Sequence, residues 1–158
     1  MTNIRTRLPT TLSNVSRTVT RLFLGLVFTV FGLNFFLHFL PMPPMPAQAG
    51  AFVAALLGSG YLFPVLKATQ VVAGAMLLSG RFVPLALALL APIILNIVGF
   101  HLFLAPAGIG LPLALLAAEA YLAWAYRASF APMLRARTTY SPLPTMVVTP
   151  ARQERLAA

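Results

Sequence analysis

The sequence contains no cysteine and very few charged residues. Without cysteine, the chain forms no disulfide, no thiol redox centre, no cysteine-ligated zinc site and no cysteine-bound iron–sulfur cluster. Charged residues make up 8% of the 158 residues and hydrophobic residues 59%, whereas a typical soluble domain is about 25% charged. A globule of this size still exposes much of its surface, so it cannot hide that much apolar area. The composition therefore predicts a protein whose solvent is a lipid bilayer.

Four apolar stretches are long enough to cross a membrane, which takes about 20 residues. They cover residues 22–40, 61–79, 82–104 and 108–126. A fifth apolar stretch, 47–57, follows a proline-rich segment and is too short to span. We expect an all-α membrane protein, a bundle of four transmembrane helices with a short interfacial or re-entrant helix after the first span. Residues 47–49 also resemble a signal-peptidase site, but the apolar run before them is too long for a signal peptide.

The net charge of +9 is distributed unevenly along the chain. Every basic residue except Lys67 lies before residue 22, at Arg81 or after residue 126, and the connections 41–60 and 105–107 carry no charge. Arginines near the ends of membrane spans are found mostly on the cytoplasmic side. With four spans, all of these arginines and both termini lie in the cytoplasm. This distribution predicts contacts with membrane lipids and no nucleic-acid partner.

The two ends differ in composition from the apolar middle. Residues 1–20 are rich in Thr, Ser and Arg, and residues 135–158 contain prolines that block a continuous helix. The sequence therefore predicts cytoplasmic tails at 1–20 and 135–158 around a membrane domain at 21–134. Within the first span, Gly25, Thr29 and Gly32 share one face, and such small residues allow close packing of membrane helices. Pro92 predicts a kink in the third span.

Several polar residues lie inside the apolar spans, in the outer half of the membrane under this topology. The candidate ligand-binding layer consists of Asn34, Lys67, Gln70, Asn96 and Glu119, and two residues nearer the outer boundary are His38 and His101. Intramembrane polar and ionisable residues face the bundle interior or a cavity in most proteins and often mark functional sites. We therefore interpret this layer as the candidate site, with no metal ligands in it and no assigned catalytic residue.

Lys67 is the only lysine of the chain, and Glu119 is its only acid within the spans. Since a lone charge in the bilayer is costly, we expect the two to be partners. The pair is either a salt bridge that fixes helix register or part of a proton relay or ligand pocket. His38 and His101 leave open a haem held between helices, but ordinary interfacial histidines explain them better. Asn96, four residues after Pro92, is positioned to satisfy the broken helix.

Several segments resemble the DoxX family of small bacterial membrane proteins. They are 21–34 (RLFLGLVFTVFGLN), 38–46 (HFLPMPPMP), 59–64 (SGYLFP), 74–78 (GAMLL), 81–87 (RFVPLAL), 90–104 (LAPIILNIVGFHLFL) and 121–134 (YLAWAYRASFAPML). The resemblance covers about residues 17–134 and implies a four-span bundle in the bacterial inner membrane. The chain departs from the family pattern at Phe35, where a lysine is frequent, and at Gln70, where an acid is frequent. Compared with the family pattern, the chain therefore lacks one positive charge, at Phe35, and one negative charge, at Gln70.

The resemblance implies an integral membrane subunit that anchors or docks a redox or quinone-linked complex. No motif supplies a catalytic cofactor, so we expect no tightly bound cofactor, leave quinone contact open, and expect no catalysis by the chain alone. If it were catalytic, it would act as a quinone-linked oxidoreductase subunit. The alternative is a small binder or transporter of a lipid-like or quinone-like molecule that uses the polar layer as its pocket. A redox-complex partner protein and a homo-oligomer both remain open.

Overall fold

The computed structural model describes residues 10–41 and 44–133, with side chains from residue 13 onward. Within these ranges the secondary structure is entirely helical. The helices are α1 (Thr10–Leu37), α2 (Ala47–Gly58), α3 (Leu62–Ser79), α4 (Val83–Phe103), α5 (Gly110–Ala125) and α6 (Arg127–Phe130), with a 3₁₀ turn (Pro106–Gly108) before α5. The all-α class predicted from the sequence is confirmed, whereas the C-terminal tail 135–158 lies outside the described residues.

Three helices are long and apolar enough to cross a membrane. They are Ser13–Leu37 within α1, all of α3 and all of α4. Two further apolar helices, α2 and α5, are shorter. The 16 residues of α5 rise about 24 Å, less than the roughly 30 Å of a typical hydrocarbon core. Length and composition therefore support membrane residence and give candidates for three of the four predicted spans.

Helix α1 begins earlier than the sequence analysis expects. Its first residue is Thr10, inside the segment 1–20 that was predicted to be a tail. Residues 11–20 contain neither proline nor glycine. Once the apolar span has formed a helix, each added residue gains one backbone hydrogen bond without a new nucleation step. Helix α1 therefore extends toward the N-terminus beyond its apolar stretch.

The long helices pack in a ring. Helix α1 packs most extensively against α3 and also contacts α5, while α4 lies between α3 and α5. Consequently α1 and α4 are diagonal across the bundle, as are α3 and α5. Helix α2 packs on α3. The fully buried core side chains come from all four bundle helices: Leu24, Leu77, Leu87, Leu90, Ile94 and Leu122.

Helices α1 and α3 approach each other closely through small residues. A Cβ atom built on Gly74 would lie 2.8 Å from the backbone nitrogen of Thr29 and 2.9 Å from the backbone oxygen of Gly25. A Cβ on Gly32 would lie 2.7 Å from Cγ2 of Val71. At Gly74 the neighbours are backbone atoms, so only glycine fits there, and small residues of this kind let membrane helices pack closely. The close packing predicted for the glycine face of the first span is confirmed.

Candidate functional site

Asn34 lies at the end of α1 and binds the chain that follows it. Its Nδ2 donates to the carbonyl oxygen of Leu40 at 3.2 Å, and the N–H of Leu40 donates to its Oδ1 at 2.6 Å. The side chain is buried, with 5% exposure. Both halves of the amide thus hold the turn after α1, where His38 adopts a left-handed backbone with φ of 51°. Asn34, a member of the predicted ligand-binding layer, therefore stabilises the turn after α1.

Gln70 and Glu119 point into the packed bundle. They are 3% and 6% exposed, and Glu119 lies on the same face of α5 as the buried Leu115 and Leu122. The Oε2 atom of Glu119 is buried without a hydrogen-bond partner. The Oγ1 atom of Thr29 is likewise buried and unpaired, against Gly74. Buried polar atoms without partners are rare, so both atoms require a functional or structural explanation.

Lys67 and Glu119 do not form the expected ion pair in the described part of the chain. Lys67 Nζ instead lies over the ring of Phe63, 5.2 Å from its centroid, and Glu119 keeps an unpaired oxygen. The reason is the order of the helices. Lys67 lies on α3 and Glu119 on α5, which are diagonal in the ring. Similar depth along the bundle axis therefore does not make them neighbours.

The two histidines occupy separate places. His38 is exposed just after α1. His101 is partly buried near the end of α4, where its Nδ1 lies 2.9 Å from the carbonyl oxygen of Ile97 and its ring stands edge-on to that of Phe100. Among the described residues, no group of three or more His, Cys, Asp or Glu side chains is placed to hold a metal ion.

Asn96 is exposed on the outer surface of α4. It makes no side-chain hydrogen bond among the described residues, so it does not repair the helix at Pro92 as expected. The carbonyl that Pro92 leaves without an N–H is that of Ala88. Asn96 is eight residues further on, or about 12 Å along the axis, which exceeds its reach.

A groove of about 650 Å³ surrounds Asn96, and we call it the Asn96 groove. Its lining includes Pro92, Leu95, Asn96, Gly99 and Phe103 of α4 and Phe52 of α2. The ring of Phe52 lies 5.8 Å from that of Phe100 and forms one wall. Phe52 and Gly99 could not be predicted as lining residues, since nothing in the sequence of an apolar helix marks a residue that lines a groove. Of the five residues in the predicted layer, only Asn96 lines this groove.

The described arginines lie at one end of the bundle. The guanidinium of Arg21 fills the space beside Gly80, where any Cβ would collide with it, so the arginine end of α1 meets the end of α3. Near the end of α5, Arg127 donates to the carbonyl oxygen of Trp124 at 3.0 Å and lies over its ring. Arg81 is exposed in the turn between α3 and α4. The connections at the other end of the bundle, 44–61 and 104–109, contain no charged residue.

Comparison with protein-family models, curated proteins and solved structures finds no match for the chain. The resemblance to the DoxX family therefore remains a prediction from the quoted segments.

Proposed function

We propose that the chain is an integral membrane subunit with four spans and cytoplasmic termini, which docks a partner in a redox or quinone-linked complex without a catalytic cofactor of its own. The observation that carries the proposal is the separation of charge between the two ends of the bundle. Arg81 and Arg127 are exposed at one end, and the opposite connections 44–61 and 104–109 carry no charge. Such asymmetry orients membrane proteins with the basic end in the cytoplasm.

The fourth span of this proposal is α5. Its 16 residues are preceded by the uncharged 3₁₀ turn Pro106–Gly108, which lengthens the apolar path on the outer side, and are followed by α6 (Arg127–Phe130) at the basic end. An even number of spans is what keeps the arginines on one side. Trp124 is 70% exposed near the arginine end, a position typical of aromatic residues at a membrane interface. The short apolar α2 then lies at the outer interface as a re-entrant or interfacial helix.

The basic end is the proposed docking surface for an acidic cytoplasmic partner. The described residues at this end include no acid, so an anionic surface would meet no repulsion there. The redox or quinone link rests on the family resemblance in the sequence. The inner bacterial membrane as location rests on the same resemblance.

The test is co-purification of the full chain in mild detergent, with mass spectrometry of bound proteins and lipids. The variant Arg81→Gln/Arg127→Gln removes two charges from the bundle end, and the control Arg152→Gln/Arg155→Gln removes two from the C-terminal segment. A partner lost from the first variant and kept by the control supports docking at the bundle end. No co-purifying protein, or equal loss from both variants, contradicts it.

The alternative function, a binder of a lipid-like or quinone-like apolar molecule, is favoured by a different observation. The Asn96 groove has aromatic and apolar walls and one amide, the composition of many small-molecule sites. The layer of five polar residues is not this pocket, since Asn34, Gln70 and Glu119 are buried in the bundle. A small molecule that co-purifies with the wild type and is lost from Asn96→Leu, but not from Thr69→Val on α3, would support the alternative.

A further inference from the structure

Most of the outward face of α4 is not covered by another helix of the single chain, although Phe52 of α2 lies at its edge, against Phe100. Leu95, Leu102 and Phe103 are 61%, 58% and 78% exposed on it, while α3 and α5 pack on other sides of the helix. Helix α4 also has no Asp, Glu, Lys or Arg between Val83 and Phe103. An apolar face of this kind can simply contact lipid, whereas a polar group within it needs a hydrogen-bonding partner.

Asn96 is that polar group. It is exposed, and it has no side-chain hydrogen bond among the described residues. Hydrocarbon offers neither donors nor acceptors, so unsatisfied amide groups at this depth are costly. A lipid chain would cover the apolar walls of the groove without satisfying the amide.

We propose that a second copy of this chain covers this face, in a two-fold symmetric dimer centred on Asn96. The asparagine amide has both a donor and an acceptor, so it is complementary to itself across a two-fold axis. Two equivalent asparagines facing each other form a reciprocal pair of N–H···O bonds. Hydrogen bonds of this type between side chains associate helices inside membranes. Because α4 has no Asp, Glu, Lys or Arg between its ends, no pair of like charges from these residues opposes the approach of two copies of the face.

Gly99 makes the required approach feasible. It lies three residues after Asn96, so it shares the same side of the helix, and a Cβ built on it would have no atom within 4 Å. A small residue beside a polar one is the pattern found where membrane helices cross closely. The groove between Phe52 and α4 then receives apolar side chains of the second copy. This inference rests on α4 spanning the membrane, as in the proposed function, but not on the redox link or the basic end.

Single cysteines test the proposal directly, because the natural chain has none. Residues near a two-fold axis meet their own copies, so Gly99→Cys in the full chain should form a disulfide-linked dimer on mild oxidation in native membranes. The matched control is Val72→Cys, which is on α3 and 51% exposed. We expect dimer from Gly99→Cys and little from Val72→Cys.

A second set of variants tests the amide itself in the Gly99→Cys background. Asn96→Leu should weaken dimerisation by roughly tenfold, as expected for one interhelical polar contact in a membrane. Asn96→Gln should retain most of the dimer, since it keeps the amide, and Thr69→Val on α3 should have no effect. Membrane insertion of every variant is measured by fractionation before cross-linking.

Each outcome decides for or against the dimer. Equal cross-linking of Gly99→Cys and Val72→Cys indicates random collision and overturns the proposal. Absence of a Gly99 dimer from correctly inserted protein also overturns it, and leaves the proposed subunit function standing. An Asn96-dependent link to a different protein or a bound small molecule instead of a second copy overturns it too. A chain that does not enter the membrane fraction refutes the proposed function itself.

Discussion

Replacing Gly74 by alanine tests the contact between α1 and α3 on which the bundle depends. The new Cβ would lie 2.8 Å from the nitrogen of Thr29 and 2.9 Å from the oxygen of Gly25. Both are backbone atoms, so they cannot move aside as a flexible side chain would. The two helices must separate, and overpacking of this kind costs about 1–3 kcal/mol.

The substitution also has a favourable term, since alanine is a better helix former than glycine by about 1 kcal/mol. Because two backbone contacts are affected, we take the upper part of the overpacking range, about 3 kcal/mol. The net loss is then about 2 kcal/mol. For a chain of this length, each kcal/mol lowers the melting temperature by about 2–4 °C. We expect Gly74→Ala to lower it by about 4–8 °C.

The assay is thermal unfolding of the purified full chain in one mild detergent, with two other glycine variants as references. Gly32→Ala meets the side chain of Val71 at 2.7 Å, and its nearest backbone atoms are at 3.2 Å, so a smaller loss is expected. Gly50→Ala lies in α2 with no atom within 4 Å, so the helix-forming term should leave it neutral or slightly stabilised. A melting temperature for Gly74→Ala at or above that of Gly50→Ala would refute the close approach of α1 and α3.

Three further predictions concern charge, topology and cofactors. Because Lys67 and Glu119 are not paired, the stability losses of Lys67→Met and Glu119→Gln should add in the double variant within about 0.5 kcal/mol; a double variant more stable than either single one would show that they do interact. In the four-span arrangement, Pro44→Cys and Pro106→Cys should react with an impermeant thiol reagent added outside intact cells, and labelling only after permeabilisation would contradict it. Protein purified without added cofactor should show no haem or flavin absorption band and no quinone reduction; either signal from the isolated chain would favour an enzyme.

The sequence alone predicted the helical class, three helices apolar enough to cross a membrane and the close packing of α1. The prediction of membrane residence follows from the ratio of apolar to charged residues, since no arrangement of so small a chain hides that much apolar surface. The glycine face was predictable because residues three and four apart share a side of any helix. The start of α1 at Thr10 was not predicted. Composition shows where the apolar stretch begins, but the helix that contains this stretch begins earlier, in polar residues.

The tertiary structure decided which polar residues meet. Depth along the bundle axis can be read from the sequence, because each residue rises about 1.5 Å, and depth alone suggested that Lys67 and Glu119 are partners. Their separation depends on the order of helices around the ring, which places α3 and α5 on a diagonal. The rotation of each helix about its own axis could not be predicted from the sequence either. Because α4 is apolar almost all round, it has no amphipathic pattern to orient it. Only its packing against α3 and α5 turns Asn96 outward into a groove, while Glu119 points into the core.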